Sequence, residues 1–159
     1  MIETTYAMFI ETKVPQNELI ISRTDLKGMI TYVNDTFAEI SGYEVDELVG
    51  KAHNIVRHPD MPKSAFADVW KTIQAGKVWR GIIKNMRKDR GYYWVEAEIS
   101  GVYKEGELVE YKSIREPISE AKKIQMQNHY DKIRQEEEDK TRIVSYLTAA
   151  QLEALKALL

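Results

Sequence analysis

The residues of this chain best suited to bind a ligand lie in one irregular stretch, H-N-I-V-R-H-P-D-M-P, at positions 53–62. Its two prolines each remove an amide donor and disfavour helix in the preceding residue, so the stretch predicts a rigid loop. Arg57 suits a phosphate, because its planar guanidinium supplies charge and geometry together. Asp60 would orient Arg57 or meet an uncharged part of the ligand. His58 could contact a cofactor, fix the loop by a hydrogen bond, or ligate a haem iron.

An amphipathic helix is predicted directly after this loop. Ser64 is a candidate N-cap, and Gly76 is expected to end the helix after about Ala75. Aromatic and aliphatic residues recur at helical spacing, namely Phe66, Val69, Trp70 and Ile73. A rigid polar loop that leads into such a helix can hold a ligand with one flat apolar end and one anionic end. The alternative is a surface loop in front of an ordinary core helix.

The elements around this region predict one α+β domain. Two short strands are expected on either side of the turn D-L-K-G, followed by short helices that end at Gly42 and Gly50. Three longer period-two runs then follow, separated by D-R-G and K-E-G-E and stopped by Pro117. The predicted fold is a five-stranded antiparallel sheet with helices over one face and a pocket between them.

The strand that follows the amphipathic helix carries a further candidate. Alternation places Trp79, Gly81, Ile83 and Asn85 on one side and Lys84 on the other. An asparagine amide both donates and accepts hydrogen bonds, so Asn85 could pair with the polar edge of a planar ligand. Taken alone, a solvent-facing strand residue is the simpler interpretation of Asn85.

The two ends of the chain differ from this central region. Residues 1–17 are expected to form an N-terminal cap, and residues 118–159 a helical signalling or interaction tail. Ser119 is expected to cap a highly charged helix with a thin apolar seam at Ile124, Tyr130 and Ile133. A final helix after Thr148 would present a leucine stripe, and packing on its own domain or dimerisation is favoured over a foreign partner. The leucines of this stripe are Leu152, Leu155, Leu158 and Leu159.

Composition limits the function further. The 159 residues include 43% hydrophobic and 30% charged residues, which fits one globular domain with an appended segment. A net charge of −2 argues against general nucleic-acid binding. The chain has no cysteine, which excludes disulfides, thiolate metal sites and cysteine-based photochemistry. No apolar run is long enough to span a bilayer and no secretory signal is evident, so the expected location is the cytoplasm, with membrane association only through a partner or missing sequence.

Several strings resemble a known family. R-T-D-L-K-G-M-I-T-Y-V-N and F-A-E-I-S-G-Y are similar to the opening of PAS domains. R-H-P-D-M-P-K-S-A-F, W-R-G-I-I-K-N and Y-Y-W-V resemble the FAD-binding PAS domain of Aer-type aerotaxis and energy-taxis receptors. The resemblance covers about residues 18–117 and does not extend into the tail.

This resemblance implies a PAS fold, non-covalent FAD and a role in sensing redox state without enzymatic activity. The signal would pass by conformational change to a chemotaxis transducer or HAMP-type signalling protein. Matched positions imply three groups of cofactor-binding residues: Asn34, Phe66 and Asn85 at the isoalloxazine pocket; Arg57, His58 and Asp60 in the loop; Trp70 and Trp79 beside the flavin or its adenine end.

Two alternatives remain open at this point. One is a haem-binding PAS gas sensor that uses His53 or His58, and the other is a cofactor-free PAS interaction module. The chain also lacks the membrane anchor, HAMP segment and signalling domain of the best-known receptors. It is expected to be either a fragment or, with its initial Met1, a separate sensor of a bipartite energy-taxis system.

Overall fold

The computed structural model describes residues 7–137 together with residues 153, 154 and 157. The predicted leucine stripe of the final helix lies outside the described residues.

One five-stranded sheet organises the described chain, as the alternating runs predict. Its strands pair antiparallel throughout, in the spatial order β2-β1-β5-β4-β3. The first two strands form the predicted hairpin, and the three long strands form a meander that joins it through β1 and β5. The bounds are β1 (Ile20–Thr24), β2 (Ile30–Val33), β3 (Trp79–Met86), β4 (Tyr92–Lys104) and β5 (Glu107–Glu116).

Short helices between β2 and β3 cover one face of this sheet. They are α1 (Asp35–Ser41), α2 (Val45–Leu48), a 3-10 helix (His53–Val56) and α3 (Lys63–Gln74). Gly42 ends α1 with a φ of 77°, a left-handed conformation that glycine adopts at little cost. The sequence predicted Ser64 as the N-cap of α3, but the helix begins at Lys63 and its N-cap is Pro62, two residues earlier.

The hydrophobic core lies between the sheet and these helices. It includes Phe37 and Ile40 of α1, Val69 and Ile73 of α3, and Ile83 of β3. The backbone of the N-terminal segment runs beside β4, where the amide of residue 12 donates to the carbonyl of residue 92 at 2.8 Å. This position brings the segment against the start of β4.

The helix that follows β5 is α4 (Glu120–Glu136), which begins directly after the predicted cap, Ser119. The predicted apolar seam is wrong at Ile124, which is 56% exposed. The buried residues of α4 are Lys123, Gln127, Tyr130 and Arg134. Within the described ranges, no helix has the length and apolar character that crossing a lipid bilayer requires.

Candidate cofactor-binding site

A cavity of about 250 Å³ lies between the sheet and the segment from the 3-10 helix to α3. The sheet supplies inward-facing residues from four strands, which are Ser22, Thr24, Ile83, Asn85, Ile99, Tyr111, Ser113 and Arg115. The helices and the double-proline loop supply the opposite wall, which includes His53, Val56, Arg57, Phe66, Val69, Trp70 and Ile73. Its volume is somewhat below the roughly 300–1,000 Å³ of sites that enclose a drug-sized ligand. A cavity of this size would enclose only part of a larger ligand, and the rest would extend through its mouth.

The most distinctive polar feature of the cavity is a hydrogen-bonded pair that joins β3 to β5. Nη1 of Arg115 donates to Oδ1 of Asn85 at 2.9 Å, and Nε of Arg115 donates to Oγ of Ser113 at 2.8 Å. Asn85 is 2% exposed and Arg115 is 5% exposed. The amide nitrogen of Asn85 donates to the carbonyl of Val56 at 3.1 Å, so the pair also holds the 3-10 helix against the sheet.

Arg115 carries a buried charge whose hydrogen-bond partners in the described part of the chain are neutral. Burial lowers the pKa of Arg115, but a guanidinium remains protonated in proteins. A buried cation without a buried counter-charge is costly unless another group compensates it. An anionic or strongly electron-rich ligand would supply that compensation.

The other charges of the cavity have the same sign. None of the described residues that line it is acidic, whereas Lys27, Arg57, Lys112 and Arg115 are all cationic. His53 lines the cavity and its Nε2 lies 3.0 Å from Oγ of Ser22. Burial and the nearby charge of Arg115 lower the pKa of His53 to about 3, so its ring is neutral at physiological pH. The cavity therefore favours a ligand with an anionic group.

Two aromatic residues of α3 give the cavity its flat surfaces. The guanidinium carbon of Arg57 lies 4.1 Å from the centre of the Phe66 ring, a cation–π distance. The Trp70 ring meets Tyr111 edge to face with 5.7 Å between centres, and at 37% exposure it stands at the mouth. These faces suit an aromatic ligand, because offset and edge-on ring contacts add to the burial of apolar surface.

Four of the eight predicted cofactor-binding residues meet at this cavity: Arg57, Phe66, Trp70 and Asn85. Asn34 lies elsewhere and uses its side chain for the fold. Its Oδ1 accepts from the amides of Phe37 and Ile21, and its Nδ2 donates to the carbonyl of Leu19. Asn34 therefore caps α1 and ties it to β1, and the structure does not bring it to the cavity wall.

Trp79 is likewise absent from the cavity wall among the described residues. Its indole nitrogen donates to Oδ2 of Asp68 at 2.9 Å, which joins the start of β3 to α3. Its ring lies so close to Gly81 that an added Cβ there would stand 2.4 Å from a ring carbon. Trp79 therefore contributes to the packing of α3 on the sheet.

The structure separates the three loop residues that the sequence grouped together. Arg57 faces the cavity, whereas His58 and Asp60 are buried on the far side of β3, where Oδ2 of Asp60 lies 2.9 Å from Nζ of Lys84. Burial alone would raise the pKa of Asp60, but the charge and hydrogen bond of Lys84 outweigh it and hold that pKa below its usual value. Because Lys84 precedes Asn85 in a strand, the two side chains point to opposite faces of the sheet. Asp60 lies on the same face as Lys84, its ion-pair partner.

His58 has a structural role in the same region. Its Nδ1 accepts a hydrogen bond from the amide of Asp60 at 2.9 Å, so the neutral ring carries its proton on Nε2. Burial, with the charge of Lys84, lowers the pKa of His58 to about 4. The loop-fixing hydrogen bond is therefore the role that the structure gives His58, among the three that the sequence allowed.

Arg115 is the principal site residue that the sequence predictions missed. The signal was present in β5, since alternation places Tyr111, Ser113 and Arg115 on one face. An arginine in a position that should face the core is unusual and indicates either a buried ion pair or a ligand contact. His53 was considered only as a haem ligand, although its place beside the loop also brings it to the cavity wall.

Comparison with known sequences identifies similar proteins. A family model described as PAS fold matches residues 30–115. The aerotaxis receptor of Escherichia coli (strain K12) is 49% identical over 104 residues, which are 65% of this chain and 21% of the receptor. The nitrogen fixation regulatory protein of Klebsiella pneumoniae is 31% identical over 109 residues, 68% of this chain and 22% of that protein. The chain thus spans about a fifth of the length of these relatives.

Comparison with solved structures gives the same fold. The PAS domain of a protein from Colwellia psychrerythraea has a TM-score of 0.58 and 25% identity, covering 63% of this chain and 86% of that domain. The light-state structure of the blue-light photoreceptor Aureochrome1 LOV has a TM-score of 0.62 and 21% identity, covering 73% of this chain and 92% of that chain. The likeness to aerotaxis receptors and the predicted fold class are confirmed. The receptor among the relatives agrees with the prediction of a sensor domain without enzymatic activity.

Proposed function

This chain belongs to the PAS family, and we propose that it is a sensor domain that binds FAD non-covalently and reports the redox state of this cofactor by conformational change. The observation that carries the proposal is the Arg115–Asn85 pair, a buried cation and amide that face an aromatic-walled cavity lined by no acidic residue among those described. The 49% identity to an aerotaxis receptor supports a redox or energy signal as the input.

The residues of the cavity fit a flavin in three respects. Its size and aromatic walls suit the flat isoalloxazine ring, with Phe66 and Trp70 beside the ring faces. Asn85 and Arg115 would bind the polar edge of the ring, and Arg115 would stabilise negative charge there. At the mouth, Arg57 and the exposed Lys27 and Lys112 would bind the phosphates of FAD, which would extend out of the cavity.

When bound, FAD supplies the capacity to accept and release electrons. The protein's part is to bind the ring, exclude water and respond to its charge. Asn85 can change its hydrogen bonding when the ring gains a proton, because its amide offers both a donor and an acceptor. Each such bond contributes about 0.5–1.5 kcal/mol net, and a differential of about 1–3 kcal/mol shifts a two-state equilibrium roughly 5–150-fold.

We further propose the division of the chain that the sequence predicted. Residues 18–117 form the PAS sensor, residues 1–17 the N-terminal cap, and residues 118–159 the tail that signals. The partner would be a chemotaxis transducer or HAMP-type signalling protein at the cytoplasmic side of the membrane, with a homodimer as a further assembly. Co-purification of the chain with a transducer's HAMP-containing fragment tests the partner, and failure to retain it under both oxidising and reducing conditions would contradict this partner. Different retention under the two conditions would show that the redox state also changes the affinity.

The absorption spectrum of freshly purified protein tests the cofactor. We expect flavin bands that bleach with dithionite and return in air. A Soret band would instead identify the haem sensor, for which the structure offers less support because His58 lies outside the cavity wall and Nε2 of His53 lies 3.0 Å from the Ser22 hydroxyl. Protein that stays colourless after incubation with FAD would indicate the cofactor-free interaction module. Asn85→Ala should lose flavin or its redox response, since this residue joins three elements at the cavity.

A further inference from the structure

A buried group of charged and polar side chains lies between the double-proline loop, β3 and α4, away from the cavity. Nζ of Lys84 lies 2.9 Å from Oδ2 of Asp60 and donates to Oε1 of Gln127 at 2.8 Å. Arg134 donates to the backbone carbonyl of Asp60, and its guanidinium also bonds Oδ1 of Asp131 at 2.6 Å. These five residues are named the Asp60 cluster below. They join the loop, the sheet and the C-terminal helix at one point.

The face by which α4 docks is largely polar, although Tyr130 belongs to the hydrophobic core and Met126 and Ile133 pack against that core. Its buried residues, Lys123, Gln127, Tyr130 and Arg134, follow a spacing of four, three and four that places them on one side of the helix. Tyr130 donates to the carbonyl of Ile82 on the edge strand β3. Buried charges gain little net stability, because the cost of removing them from water offsets their attraction. The buried polar contacts therefore define the position of the helix more than they stabilise it.

Two short backbone connections join the Asp60 cluster to the cavity wall. In β3, Asn85 faces the cavity while its neighbour Lys84 faces the cluster. In the loop, Arg57 lines the cavity and Asp60 follows it by three residues. Asn85 links the two connections. Its backbone forms an isolated antiparallel β-bridge with the backbone of Arg57, and its side chain donates to the carbonyl of Val56 at 3.1 Å. A shift at Asn85 is thus shared by the strand and the loop that position the cluster.

We propose that the Asp60 cluster is a latch that holds α4 on the domain, and that the state of the cavity reaches α4 through Lys84 and the Arg57–Asp60 loop. The transmission rests on the flavin function proposed above, whereas the latch does not depend on it. In this assignment Asp60 is a positioning residue for α4 and not a cofactor contact. Changed hydrogen bonding at Asn85 alters the geometry that Lys84 and Asp60 present to Arg134, and α4 is held more or less firmly as a result.

Hydrogen–deuterium exchange of the α4 amides in the full chain tests the latch. Arg134→Gln removes a charge from the helix side of the cluster and leaves the sheet unchanged. Lys132→Gln removes the same charge from an exposed position of the same helix and is the matched control. We expect Arg134→Gln to speed exchange across α4 by about 10–100-fold and Lys132→Gln to leave it unchanged. Flavin absorbance per chain should be equal in both variants.

The outcomes separate the latch, the transmission and the cofactor. Equal α4 exchange in Arg134→Gln and Lys132→Gln would overturn the latch. The same measurement on the unsubstituted chain, without FAD and with oxidised or dithionite-reduced FAD, tests transmission. Identical α4 exchange in all three states would overturn the transmission even though absorbance shows that flavin is bound. If no flavin binds, the proposed function fails, but the two variants still decide the latch in the cofactor-free protein.

Discussion

Replacement of Arg115 by glutamine tests whether the buried charge sets the redox behaviour of the cavity. The guanidinium is fixed by Oδ1 of Asn85 at 2.9 Å and Oγ of Ser113 at 2.8 Å, so its charge stays at the polar end of the cavity. Glutamine can still donate to Asn85 but carries no charge. A hydrogen bond to a charged group contributes about 1.5–3 kcal/mol, which for a one-electron step that leaves an anion corresponds to about 60–130 mV. Arg115→Gln should lower the flavin potential by that amount.

The assay is a spectroscopic redox titration of purified, FAD-loaded protein against dyes of known potential. Arg115→Lys keeps a positive charge, so its flavin potential should stay close to that of the unsubstituted chain. Lys112→Gln is the control for charge, because Lys112 also lines the cavity but is exposed. Water and salt screen an exposed charge, so its removal should shift the potential much less. Flavin should still bind to each variant, because each loses only one of the several contacts proposed for it, and its affinity is measured separately.

A potential that falls no further in Arg115→Gln than in Lys112→Gln would refute the reasoning. It would mean that other groups of the protein compensate the charge of Arg115, so that this charge does not stabilise the reduced flavin. Thermal unfolding of each variant, measured without flavin, separates such a result from simple loss of the fold.

Three other substitutions test separate parts of the structure. Burial and the charge of Arg115 lower the pKa of His53 to about 3, from about 6.5 in an unfolded chain, so the unfolded protein binds the proton first and stability is lost as pH falls below 6.5. Between pH 7.5 and 5 this group should contribute a loss of about 2 kcal/mol in urea unfolding, and His58, whose pKa is lowered to about 4, should contribute a similar loss. His53→Gln should therefore remove about half of the measured loss. Gly81→Ala places a Cβ 2.4 Å from the Trp79 ring and should cost about 1–3 kcal/mol in thermal unfolding, and an unchanged melting temperature would disprove this packing. Asn34→Ala removes the cap that accepts from the Phe37 amide and should cost about 0.5–2 kcal/mol while flavin binding is kept, whereas a stable variant without flavin would restore Asn34 to the cofactor site.

Local signals in the sequence were sufficient for the architecture. Period-two alternation predicted the faces of β3 correctly, with Ile83 and Asn85 toward the cavity and Lys84 away from it. Gly42 and Gly76 adopt positive φ where the predicted helices end, because few other residues tolerate that conformation. These features depend only on residues close together in the chain, because strand alternation and the backbone conformation of glycine are set locally.

Side-chain roles in the irregular segments needed contacts from far along the chain. Nothing local to Asp60 reveals that Lys84 meets it, 24 residues later, or that Arg134 reaches its carbonyl, 74 residues later. Asn34 fits a ligand site by type, yet its side chain bonds the backbone of Leu19, Ile21 and Phe37 and does not line the cavity. Loop side chains therefore could not be assigned to the cavity or to the opposite face of the sheet from their spacing alone.

The sequence by itself determined the sheet, its helices and the aromatic residues and Arg57 of the site, since these follow from alternation, helical spacing and residue chemistry. Only the tertiary structure decided that Arg115 meets Asn85 across 30 residues and that α4 docks by polar residues while Ile124 stays exposed. The physical reason is that a charge is buried where distant partners stabilise it, and those partners are known only once the chain is folded.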